Sequence, residues 1–248
     1  MQDLAYERAV VEHADAVADA LAAEPAAPVP ACPGWDVAKL ALHVGLVHVW
    51  AAAQVRSGSH AGVDQRGLPR APGGPERVAW LRDAARDLAR ALQESPRDRP
   101  AGRWRGIEVD SGFWRRRVAQ ETAVHRVDAD RAVGRVTVLD GALAADGVDE
   151  VADLFLPLGD PLDDGHRPAG ALHLVRDDGP GRWSLAVRAD GRPVRAEGGP
   201  AGDARPSVTV TGPAASLLLV CWGRADAEPM RTAGDGTLLA AWSSILGW

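Results

Sequence analysis

The sequence predicts a helical domain followed by a smaller α+β domain: a four-helix bundle over residues 1–138, then strands with segregated helices over residues 139–248. Three observations carry this. Through the first half, apolar residues recur at three- and four-residue steps, the period of a helix with one buried face. After about Leu139 several stretches alternate apolar and polar residues at period two, the mark of half-buried strands. The length of 248 residues is enough for one large domain or two small ones.

The elements follow in order. Tyr6–Ala23 sets Val10, Ala14, Val17 and Leu21 on one face. The proline-rich stretch 25–33 breaks the chain. Asp36 is a good N-cap for a second helix running to about Arg56, with Val37, Leu40, Val44, Val47 and Ala51 inward. Residues 57–74, rich in Gly and Pro, read as a loop, and Pro75–Gln93 as a third helix with Val78, Leu81, Ala85, Leu88 and Leu92 inward. A turn at 95–100 and an irregular segment around Trp104 lead to a fourth helix, Phe113 to about Val133. Four amphipathic helices make a bundle the economical fold. Beyond it, Gly147–Phe155 reads as a helix, and Ala171–Arg176, Trp183–Arg188 and Ser207–Thr211 as strands. Ala214–Gly223 and Gly236–Leu246 read as helices, and the glycines of 198–202 as loop. Strands with segregated helices indicate an α+β domain.

Composition excludes several classes of function. The formal net charge is −6 and the pI about 5.6, which gives no basic patch for a phosphate backbone, so no nucleic-acid partner is expected. No uninterrupted apolar run reaches the roughly 20 residues of a membrane span, and the acidic, amphipathic start has no signal-peptide pattern. Cys32 and Cys221 lie far apart and form no CxxC pair, so a disulfide framework is not expected and a reducing cytoplasm is. Lys39 is the sole lysine; the preference for Arg, Ala, Gly and Pro reflects a GC-rich coding bias.

One constellation can do more than pack. Glu121 and His125 are four residues apart in the fourth helix, and about 3.6 residues per turn puts them on one face. His43 falls on the inner arc of the second helix. Two imidazoles and a carboxylate make a set that suits Zn²⁺ with a fourth position open, and Fe²⁺ uses the same donors. Glu121 would project into the bundle, where a buried carboxylate needs a metal or a cation such as Arg115–Arg117. Asp128 either orients an imidazole from behind or faces solvent. His48 reads as packing or pocket lining. Cys32, before Pro33-Gly34-Trp35, is either a zinc thiolate or a small buried residue at a tight turn, and Cys221 is core. His13, His60, His166 and His173 have no partner at ligand spacing. No GxSxG, P-loop or dinucleotide fingerprint is present.

The stretch from Cys32 through Pro33-Gly34-Trp35-Asp36 and His43 to Trp50 resembles the opening motif of the mycothiol-dependent maleylpyruvate isomerase family, within the DinB-like superfamily. Gln120-Glu121-Thr122-Ala123-Val124-His125-Arg126-Val127-Asp128 is similar to that family's metal-binding helix. Val210–Arg224 is similar to its second, sterol-carrier-like α+β domain. The chain departs from the family's pattern at Lys39, where an acidic residue is common. The resemblance implies that His43, Glu121 and His125 hold zinc, that mycothiol, a thiol of actinobacteria, is cofactor or co-substrate, and that Arg224 binds a substrate carboxylate. Arg224 reads equally as a surface or helix-capping arginine.

The chemistry implied is thiolate addition to a small, carboxylated electrophile, ending in cis–trans isomerisation or in S-transfer. The expected partners are a small-molecule substrate and a low-molecular-weight thiol, in a monomer or homodimer. Two other classes stay open on the sequence alone: a thiol- or small-ligand-binding module without turnover, and a hydrolase using zinc-bound water.

Overall fold

Carboxylate caps set the helices that matter here. In the computed structural model, which describes residues 5–163, 165–196, 207–225 and 230–246, Asp36 accepts from the Lys39 N–H at 2.7 Å and opens α2, Val37–Ser57. Gly58 ends it in the left-handed conformation. Asp110 does the same for α4, Ser111–Ala132, accepting from the Phe113 N–H. With α1 (Tyr6–Ala23) and α3 (Glu76–Glu94) these form a helical bundle. Its core holds Val17, Leu40, Val44, Leu81, Leu88 and Val118, all essentially inaccessible.

The chain divides into two compact units, Met1–Thr137 and Val138–Trp248. The first is the bundle; the second is an α+β unit built on a mixed sheet, so the fold class is the one the sequence predicts. In the second unit α5 (Gly141–Glu150) runs through a π-turn, Val151–Phe155, into the single turn α6 (Leu156–Leu158). The strands are β3 (Ala171–Arg176), β4 (Arg182–Val187), β5 (Pro193–Arg195), β6 (Ser207–Gly212) and β7 (Arg231–Gly234), with helices α7 (Ala214–Cys221) and α8 (Gly236–Leu246). Their order is β5-β4-β3-β6-β7, with β3 and β6 parallel and the other pairs antiparallel. Leu172, Leu174, Leu185, Leu217 and Trp242 fill its core.

Several elements differ from expectation. The segment around Trp104 is a hairpin, β1 (Pro100–Trp104) with β2 (Ile107–Asp110), closed by Arg105 and Gly106, both at positive φ. That is the backbone of a type I′ turn, and the arginine hides its usual Asn-Gly or Asp-Gly signature. The helix expected at Gly147 begins at Gly141, where Asp140 accepts from two backbone N–H groups. The short strands β5 and β7 were not expected. Within residues 57–74 one turn, Gln65–Gly67, is a 3₁₀ helix. The expected loop at 198–202 lies outside the described residues.

By length and composition α2 is apolar enough to cross a membrane, alone among the described helices. Its buried half packs in the bundle, and it carries Lys39, His43, His48 and Gln54 along its length. A helix half buried in a bundle passes the same test of length and composition.

Candidate metal centre

His43 on α2 meets Glu121 and His125 on α4. Ligand-type atoms of the three residues all lie within 4.8 Å of one another. His43 Nε2 is 3.1 Å from Glu121 Oε1, and the His43 and His125 rings meet edge to face with centroids 5.1 Å apart. Glu121 Oε2 also lies 3.8 Å from Nε of Arg117. Of the two partners weighed for Glu121, a metal and an arginine, the arginine is Arg117, and the imidazoles that would share the metal stand beside it. Arg115 is committed elsewhere, to Glu7 and the Ser95 carbonyl. Burial alone would raise the Glu121 carboxyl, but the His43 hydrogen bond and the charges of Arg117 and His125 outweigh it and hold it down at about 2.

Asp128 decides between its two readings by burial. Its side chain is 0% exposed, so it is no solvent-facing carboxylate, and its Oδ2 lies 3.0 Å from His125 Nδ1. A neutral imidazole donating from Nδ1 to that carboxylate keeps its free lone pair on Nε2. The donor set thus fits a divalent ion: an ionised carboxylate, an imidazole with a fixed tautomer, and in His43 a ligand whose side chain is still 37% exposed.

The turn before α2 brings a further residue to the cluster. Val29 N–H donates to the Trp35 carbonyl and Trp35 N–H to the Cys32 carbonyl, folding residues 28–36 back on themselves. This sets the Trp35 ring 5.2 Å from that of His43. It also points the Cys32 thiol at Asp128 Oδ2, 3.8 Å away. Cys32, His125 and Asp128 form a second set of ligand-type atoms, sharing His125 with the first. Sequence spacing left Cys32 undecided because its partner is 96 residues away.

His48 packs. Thr122 Oγ1 donates to the Val118 carbonyl at 2.6 Å, so at 2.9 Å it accepts from His48 Nε2–H. Burial pushes the imidazole down to about 4, Glu121 opposing and His43 adding to the shift. The remaining histidines stand apart: His13 by Arg126, His60 by Glu108, His166 by Asp163 and His173 by Ser184. Among the described residues none of them joins a metal-type group.

Residues 6–130 match the mycothiol maleylpyruvate isomerase N-terminal domain, and residues 142–241 match the C-terminal domain of the same family. The chain belongs to this family. Two crystal structures of a mycothiol-dependent maleylpyruvate isomerase share the fold at 14% sequence identity, each over 92% of this chain. One, a histidine-to-alanine mutant, aligns over 91% of its own chain with a TM-score of 0.62; the other over 90% with a TM-score of 0.57. No curated protein sequence matches the chain.

Within this family framework Cys32, His43, Glu121, His125 and Asp128 all fall in the N-terminal domain. Arg224 falls in the C-terminal one, just past α7, where its Nη1 donates to the Trp222 carbonyl at 2.7 Å. That is a helix-end contact made through one of its guanidinium nitrogens. A cavity of about 630 Å³ opens beside His43, between the Leu42, Leu46, Val47 and Trp50 side of α2 and residues 65–71. The sequence reading put Val47 on the inner face; it lines this cavity instead. The missed signal was that α2 is apolar on more than one side.

Proposed function

We propose that this member of the mycothiol maleylpyruvate isomerase family is a zinc- and mycothiol-dependent enzyme. It adds the thiol's sulfur to a small, carboxylated electrophile and yields cis–trans isomerisation or S-transfer. The observation that carries the reading is the convergence of His43, Glu121 and His125 from two helices, with their ligand-type atoms within 4.8 Å.

Bound there, zinc would let a thiol, whose ordinary pKa is about 8.5, ionise at neutral pH. The protein's own groups prepare for that. Glu121 is the single anionic ligand of the three, so the filled site keeps an affinity for an anionic fourth ligand such as sulfur. Asp128 fixes the His125 tautomer, and Arg117 balances Glu121 on the side away from His43. The exposed side of His43 leaves an approach for reactants. Addition of sulfur to one carbon of a cis double bond leaves a single bond that can rotate. Expulsion of the thiol then gives the trans isomer, and retention gives the S-conjugate. In this reading Arg224 binds a substrate carboxylate, as the resemblance implies. Two free cysteines suit a reducing cytoplasm.

The test is metal analysis of the purified protein, with calorimetric titration of mycothiol. About one zinc per chain, mycothiol binding to the loaded protein and loss of both in His125→Ala are expected. Absence of stoichiometric metal, with His125→Ala unchanged in metal content and activity, would defeat the reading. Metal without thiol binding would favour hydrolysis by activated water instead.

A further inference from the structure

The outward side of α2 is what the bundle does not explain. Val37, Leu40, Ala41 and Val44 bury the inner side, yet Leu42, Leu46, Val47 and Trp50 line the cavity that begins at His43. Leu46 is 39% exposed, one of few large apolar side chains left so open among the described residues. A ligand that removed this face from water would gain the transfer free energy that the folded chain forgoes.

The charge of the lining is one-sided. It contains Arg66, Arg70 and Arg77 and no carboxylate, in a chain whose formal net charge is −6. Arg77 is structural: its Nε donates to the Pro72 carbonyl and its Nη1 to the Ala38 carbonyl, tying the roof to the first turn of α2. Arg66 only approaches Asp64, at 3.9 Å. Arg70 is exposed and has no ion-pair partner among the described residues. The volume of about 630 Å³ lies inside the range of small-molecule sites, roughly 300–1,000 Å³. Trp50 is seven residues beyond His43, which sets the two about 10 Å apart along the helix.

We propose that this cavity binds an amphipathic anion, with an aromatic or branched aliphatic body on Leu46, Val47 and Trp50 and its anionic group at Arg70. The ligand class is thus an apolar-bodied acid, larger and greasier than a short dicarboxylate, and its contact at Arg70 is separate from the one proposed for Arg224. That its other end is the reacting one rests on the metal reading of His43; the binding does not.

The experiment uses the full chain after chelator treatment, with anilinonaphthalene sulfonate as a fluorescent probe displaced by phenylbutyrate, phenylbutanol or succinate. Phenylbutyrate is expected to displace the probe at about tenfold lower concentration than either competitor, the charged contact and the apolar face each contributing. Arg70→Gln removes its advantage over phenylbutanol. Leu46→Asp, or Leu68→Asp on the roof should the first variant lose its native melting transition, weakens both aromatic ligands by about tenfold. Because displacement is read on the metal-free protein, the pocket and the metal can fail separately. Succinate matching phenylbutyrate, or a folded Leu46→Asp with wild-type displacement, overturns the proposal.

Discussion

His125 Nδ1 and Asp128 Oδ2, one helical turn apart, are held at 3.0 Å with the carboxylate wholly buried. A buried carboxylate beside one nitrogen of a ligand-type imidazole fixes its proton there and raises the basicity of the other nitrogen. Asp128→Asn keeps the volume but loses the charge. Zinc affinity should fall by about 10- to 100-fold, the usual cost of removing such a support. Competition with a chromogenic chelator reads this directly. Unchanged affinity in a folded Asp128→Asn protein would show that the pair only packs.

The buried His48 makes stability depend on pH with a definite sign. The unfolded chain takes up a proton near the ordinary value of 6.5, the folded chain only near 4. Between those values the unfolded state binds more protons, so stability is full above about 6.5 and declines as pH falls towards 4. The shift corresponds to roughly 3 kcal/mol. Urea midpoints at neutral and mildly acidic pH measure it. His48→Gln, which keeps a donor for Thr122 Oγ1, should flatten that slope. The same slope in both proteins would count against this account.

Local rules made much of this legible, and the exceptions have physical causes. Asp36 as a cap and the terminal helix Gly236–Leu246 follow from side-chain chemistry and periodicity. So does the shared face of Glu121 and His125. The hairpin at 100–110 was hidden because Arg105 stands where a left-handed turn usually shows Asn or Asp. β7 is exposed at every residue, so no burial alternates along it. The cavity was invisible because an α2 apolar on both sides gives the period-reading no polar face to contrast with. Cys32 and Asp128 meet only through tertiary placement, which local spacing does not encode.

Gly45 gives a test of packing against propensity. A Cβ there would stand 2.2 Å and 2.4 Å from two ring carbons of Trp80. Helix propensity favours Ala over Gly by about 1 kcal/mol, whereas overfilling a packed contact costs about 1–3 kcal/mol. Gly45→Ala should therefore lower the melting temperature, with a net loss on the order of 1 kcal/mol. In a Trp80→Ala background the obstruction is gone, and the same change should become stabilising. A double-mutant cycle isolates the coupling, and additive effects would mean that the ring simply swings away.

The two free thiols should differ sharply in reactivity. Cys221 in α7 is 1% exposed, and burial pushes its thiol up to about 12, so at neutral pH almost none is thiolate. Cys32 is half-buried at the turn before α2, with its sulfur near the Asp128 carboxylate. Iodoacetamide at mildly alkaline pH should therefore label Cys32 alone in the native protein and both residues after denaturation, as read by peptide mass spectrometry. Loading zinc then separates the two readings of Cys32. A thiol that only donates to Asp128 keeps its labelling rate, whereas a thiolate ligand would be protected. The sulfur-to-carboxylate contact at 3.8 Å favours the unprotected outcome. Native labelling of Cys221 at a rate comparable to Cys32 would show that the core of the second unit opens far more readily than its burial implies.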